Sequence, residues 1–157
     1  MKTLRKPRIS ASAGFTLVEL LIVIVIATIL ATIAIPSYQA QIRKSRRTDA
    51  KTALLDLAAR EERYNSTYNT YTSVPANLGY SGNFPVTVGS GYYQININVC
   101  AALACATDKG TGVVFSATAT AINTQTKDTQ CRNYTLDSTG GQAVTGTASA
   151  TPAVCWN

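Results

Sequence analysis

Few side chains in this 157-residue sequence are placed to do chemistry, and the most informative is a lone carboxylate. Glu19 is the only charged residue in the 21-residue apolar run from Phe15 to Ile35. An ionised carboxylate in hydrocarbon is unfavourable by about 2.5–3.5 kcal/mol or more, so it needs a partner and marks a function. Thr16 and Glu19 have the spacing of a capping box, in which each side chain satisfies an orphan amide at a helix start. Capping explains a polar residue in a first turn. It does not explain why the helix should begin at Phe15, directly after Gly14.

The other reactive side chains are four cysteines, Cys100, Cys105, Cys131 and Cys155. An even count behind a membrane segment suits disulfides in an oxidising compartment, and four cysteines allow three pairings. A zinc site of four thiolates is disfavoured, because no CxxC pair is present. There is no histidine, which removes the commonest metal ligand and the commonest general base. With no serine elbow and no phosphate loop, the sequence offers no catalytic constellation. A protein that is not an enzyme, with no cofactor and no metal, is expected.

The elements that must position these groups begin with the apolar run. As a helix it spans about 30 Å, the thickness of bilayer hydrocarbon. Lys2, Arg5, Lys6 and Arg8 precede it with no acid among them, which keeps the N-terminus cytoplasmic. A secretory signal would need small residues after the run; "SASAG" stands before it, leaving only "ATIA" as a weak cleavage candidate. Pro36 should kink or loosen the helix. Beyond it, Ile42, Ala50, Ala53, Leu54, Leu57, Ala58 and Tyr64 keep a helical period and predict an amphipathic continuation over 36–66. From Asn65 to Gly91 the residues turn to Asn, Ser, Thr, Tyr, Gly and Pro, a connecting loop. "YYQININV", "GVVFSATATAI" and "NYTLD" then alternate as half-buried strands, with "STGG" turning toward a fourth at "QAV". A long helix followed by an antiparallel sheet of about four strands is an α+β fold.

Charge supports this division. Only 14% of residues are charged, and the net +6 sits in the leader and in Arg43, Lys44, Arg46, Arg47 and Lys51. From Arg60 onward basic and acidic residues balance, so bulk charge alone makes no nucleic-acid surface of the head.

"GFTLVE", behind a short basic leader and ahead of an unbroken apolar helix, closely resembles the type IV prepilin signature shared by type IV pilins and the pseudopilins of type II secretion. The segment "AIPSYQAQIRKSRRTDAKTALLDLAAREERYNSTYNTY" is similar to the helix continuation of a minor pilin, and "CRNYTLDSTGG…CW" to the cysteine-bounded D-region. The resemblance implies a pilin fold. It implies that residues 1–14 are a leader cut between Gly14 and Phe15 by prepilin peptidase, and that Phe15 is then N-methylated. Residues 15–35 would be the membrane and filament-core helix, and 67–157 the globular head. Glu19 would meet the Phe15 ammonium of a neighbouring subunit and so fix stagger. The D-region match implies a Cys131–Cys155 disulfide, leaving Cys100–Cys105 to close a short loop. The 131–155 closure of about 25 residues is worth roughly 3.5 kcal/mol in the chain-entropy model.

Three functions are weighed. The first is a structural, minor-pilin subunit of a type IV pilus, anchored in the inner membrane before assembly and then displayed on the bacterial surface. Its partners would be other pilins, prepilin peptidase and the assembly platform; twitching motility, adhesion and DNA uptake are the implied roles. The second is a type II secretion pseudopilin, which shares the N-terminal signature; one of the major type would be expected to use a calcium loop near its C-terminus, and this tail has only Asp137 as an acid. The third is a pilus-displayed DNA receptor using Lys109, Lys127 and Arg132, with Asp108 and Asp128 offsetting two of them. For the cluster from Arg43 to Lys51 two readings stand: a solvated helix face, or contact with acidic groups of neighbouring subunits or lipid headgroups.

Overall fold

The computed structural model describes residues 14–100, 115–147 and 150–157. The chain divides into two compact units, Met1–Tyr38 and Gln39–Asn157, and one helix, α1 (Leu17–Tyr68), passes from the first into the second.

In the first unit the apolar run is helical and uncovered. Its most apolar stretch has a mean hydropathy of 2.9 with none of it buried, so this helix is long and apolar enough to cross a membrane. Thr28 and Thr32 donate their hydroxyls to the Ile24 and Ile29 carbonyls, each at 2.7 Å, and so need no water. Pro36, expected to kink or loosen the helix, lies inside it, and the helix continues on both sides as the periodicity beyond it predicts. Proline deletes a single backbone amide, and the intact turns on either side confine that loss to one turn.

In the second unit α1 becomes amphipathic. Its buried residues are Ala50, Leu54, Leu57 and Glu61, at steps of four, three and four, which is one face of a helix. Ala53, Ala58 and Tyr64 flank them, the stripe expected from the sequence. Against it lies a five-stranded sheet, β1 (Val86–Val88), β2 (Tyr93–Val99), β3 (Phe115–Ala121), β4 (Asn133–Asp137) and β5 (Gln142–Thr145). Spatial order follows chain order, and every neighbouring pair is antiparallel. Alternation sends Tyr93, Ile95 and Ile97 inward from β2, Phe115, Ala117, Ala119 and Ala121 from β3, and Tyr134 and Leu136 from β4. The alanines of central β3 leave room for the Tyr93 and Tyr134 rings from either side, which meet edge-on at 6.1 Å. Strand β1 adds to the four expected. Its three residues are too few to show alternation, and only pairing with β2 makes them a strand.

The C-terminus is pinned at several points. Cys131 and Cys155 form a disulfide, Cα to Cα 5.8 Å, as the D-region resemblance implies. A short helix α2 (Pro152–Cys155) delivers Cys155; the Thr151 hydroxyl caps it by accepting from the Val154 amide. Trp156 donates its indole N–H to the Ala143 carbonyl at 3.1 Å and stands edge-on to Tyr134. Gly146 is required where the chain passes the Thr129–Gln130 backbone, because a Cβ there would strike the Gln130 carbonyl oxygen. Cys105, and with it the expected Cys100–Cys105 closure, lies outside the described residues.

Candidate functional site

Two places carry the functional residues, one in each unit. In the first, Gly14 and Phe15 precede α1 in non-helical backbone; Phe15 is 82% exposed, and among the described residues nothing beyond its chain neighbours crowds a Cβ built on Gly14. The Thr16 hydroxyl accepts from the Glu19 amide at 3.2 Å, which is the Thr16 half of the capping box. Capping is done by Thr16, and the Glu19 carboxylate sits exposed in the first turn.

In the second unit the stem cations separate into distinct roles. Arg47 forms a two-pronged ion pair with Asp128, Nε to Oδ2 at 2.7 Å and Nη2 to Oδ1 at 2.9 Å, and also donates to the Gln130 side-chain oxygen at 3.2 Å. Burial draws its pKa down, but the hydrogen bond and charge of Asp128 outweigh this, and the net direction is upward. Lys51 donates to the Trp156 carbonyl at 3.2 Å, holding the C-terminal residues to α1. The Arg46 guanidinium lies over the Tyr92 ring, 3.4 Å from its centroid, and donates to the Thr124 hydroxyl at 3.2 Å. The reading of a merely solvated face therefore fails for Arg46, Arg47 and Lys51, whose heads are engaged with the sheet side of the molecule.

Gln125 was not singled out in the sequence, and it is central. It is fully buried in the 3-10 turn Asn123–Lys127, and its amide N–H group lies 3.0 Å from the Arg43 carbonyl, 3.1 Å from the Tyr93 hydroxyl and 3.3 Å from Asp128 Oδ2. A glutamine among Thr, Asn and Lys carries no sequence signal of burial; only the packing of α1 over the turn shows it. The same enclosure raises the Tyr93 hydroxyl to about 12, chiefly by desolvation.

Asp128 is thereby removed from the surface at 4% exposure. It does not offset Lys127, as its position in the sequence suggested; it neutralises Arg47. Between α1 and the turn lies a cleft of about 250 Å³ lined by Gln39, Ile42, Arg43, Arg46, Thr124 and Lys127, with three cations and no carboxylate. Arg132, immediately before β4, is exposed. Lys109 and Asp108 lie outside the described residues.

The sequence profile of the family described as type IV minor pilin ComP, DNA uptake sequence receptor, matches residues 36–152. The chain belongs to this minor pilin family. A second profile, the prokaryotic N-terminal methylation motif, matches residues 9–35 and so covers the Gly14–Phe15 junction and Glu19. Among solved structures the chain is similar to a type IV pilin from Shewanella oneidensis, at 25% identity over 64% of this chain and 90% of that one, with a TM-score of 0.43. No curated protein matches it. As a type IV minor pilin, the chain is a structural subunit of the pilus. Its apolar helix anchors it in the inner membrane before it joins the surface pilus, and it assembles with other pilins after processing by prepilin peptidase. Family membership thus favours the pilus over the secretion pseudopilin.

Proposed function

We propose that this minor pilin enters the filament without catalysis, through a register set by the Glu19 carboxylate and the Phe15 ammonium of an adjacent subunit. Cleavage after Gly14 removes residues 1–14, and Phe15 becomes the methylated terminus. Residues 15–35 then form the filament core, 36–66 the helix continuation and 67–157 the head. The observation that carries this is an uncovered apolar stretch at the start of α1, up to Ile35, whose one charged residue, Glu19, stands about one turn from that junction. Leaving lipid, such a helix buries its surface against sister helices. Either charge of the pair is tolerated there when matched, and removing one partner leaves the other stranded at a cost of about 3–5 kcal/mol, a population factor of 10² to more than 10³. Glu19→Ala is therefore expected to insert in the membrane at normal levels and to fall at least tenfold in sheared pili, read by immunoblot. Wild-type incorporation of the variant overturns the pairing. Replacement of Gly14 should leave uncut precursor, and mass spectrometry of the native product should show Phe15 first.

A second reading, DNA capture by the displayed head, is favoured by the family's description and by the burial of Asp128, which leaves Lys127 and Arg132 exposed with no ion pair to either among the described residues. The detergent-solubilised chain is expected to retain duplex DNA on a filter at low salt and to release it as salt rises, with Lys127→Gln and Arg132→Gln each lowering the salt slope by about one. No retention at low salt removes this role.

A further inference from the structure

We propose that the cleft of Arg43, Arg46 and Lys127 holds the phosphate of an anionic phospholipid headgroup while the subunit waits in the inner membrane. The proposal rests on membrane anchoring; it shares Lys127 with the DNA reading, and the test below separates the two.

The cleft is built for an anion. Three cations converge with the Thr124 hydroxyl and the Gln39 amide around about 250 Å³, room for a phosphodiester and its glycerol. No carboxylate lines it, because Asp128 faces Arg47 and Gln125 instead, and Asp49 accepts from the Ser90 amide and hydroxyl. Arg46 is pre-set: stacking on Tyr92 and the bond to Thr124 hold its guanidinium flat, so little side-chain freedom remains to be lost when its edge meets phosphate oxygens. Ile42 adds an apolar wall suited to the ester end of a lipid.

Position selects the source of the phosphate. Gln39 follows Ile35, the last residue of the apolar run, by four residues. Whatever the angle between the two units, four residues span at most about 14 Å. The headgroup layer on each side of a bilayer is about 5–8 Å deep. Arg43 and Lys127 have long cationic side chains of the kind that extend readily to an interface. A cleft this close in sequence to the membrane segment meets lipid phosphate at high local concentration before it meets any other anion.

Native mass spectrometry of the full chain in neutral detergent tests this, with phosphatidylglycerol and phosphatidylcholine of identical acyl chains as probes. The expected result is one retained phosphatidylglycerol, preferred at least tenfold over phosphatidylcholine. Arg43→Gln/Arg46→Gln should lower retention at least tenfold. Lys127→Gln, on an exposed turn where folding is not at stake, should lower it several-fold. Arg63→Gln, which removes the same charge outside the cleft, should leave it unchanged. Equal retention by the cleft variants and wild type, or equal loss from Arg63→Gln, overturns the proposal. Displacement of the lipid by millimolar inorganic phosphate would make the cleft a soluble-phosphate site. Displacement by a short duplex that the cleft variants no longer bind would make it a DNA site. Either displacement also overturns the proposal.

Discussion

Removing Arg47 exposes how the head is fastened to the helix. The Arg47 side chain is 12% exposed and that of Asp128 4%, so water screens the pair little. In Arg47→Met the carboxylate keeps only neutral donors, Gln125 Nε2 at 3.3 Å and the Cys131 amide at 3.3 Å. Stranding a buried charge costs about 3–5 kcal/mol. For a unit of this size 1 kcal/mol corresponds to about 4 °C, so Tm should fall by about 12–20 °C. The double variant Arg47→Met/Asp128→Leu removes both charges and should recover most of that loss, because the desolvation penalty disappears with the pair. Thermal unfolding of residues 39–157, followed by far-UV circular dichroism and by fluorescence of the single tryptophan, Trp156, measures both. Low and high salt should give the same difference, since burial limits screening. A fall of less than about 4 °C in the single variant refutes the reasoning. So does a double variant no more stable than the single.

Cys155→Ser should lower stability by roughly 3.5 kcal/mol and free the C-terminal turn, seen as a fluorescence change at Trp156, and an unchanged Tm would contradict the pinning role. Glu61 is fully buried, with one oxygen accepting from the Thr72 amide at 3.1 Å and the other without a partner among the described residues, and desolvation raises its pKa, with the Glu62 charge adding to this. A raised acid binds its proton more tightly in the folded state, so the stability it confers is complete below about pH 4.5 and declines as pH rises through the folded value. Glu61→Gln should therefore flatten urea midpoints between pH 4 and 7.5, and identical slopes for variant and wild type would exclude this. Tyr93, raised to about 12, acts in the same sense at alkaline pH: its stability is present below about pH 10 and is lost toward 12. Tyr93→Phe should delay alkaline unfolding, as followed by circular dichroism.

Much of the fold was legible because its signals are local. Ala50, Leu54 and Leu57 announce one helical face by spacing alone, and Tyr93, Ile95 and Ile97 announce one face of a strand. Strand β1 escaped because three residues cannot display a period, and its hydrogen bonds belong to β2. The continuation of the helix past Pro36 was legible too, because the apolar period resumes beyond it. Gln125 escaped for a different reason: its burial is set by groups far along the chain, the Arg43 carbonyl and the Tyr93 hydroxyl.

By itself the sequence determined that a long apolar helix with one carboxylate leads the chain, and that a sheet follows. Hydrophobic length and periodicity are properties of neighbouring residues and need no partner to be read. Only the tertiary structure decided which charges remain at the surface. Asp128 stands next to Lys127 in the sequence but is bound to Arg47, 81 residues away, and that choice leaves the cleft positive. Electrostatic pairing depends on distance through space and on exclusion of water, and neither quantity is written along the chain.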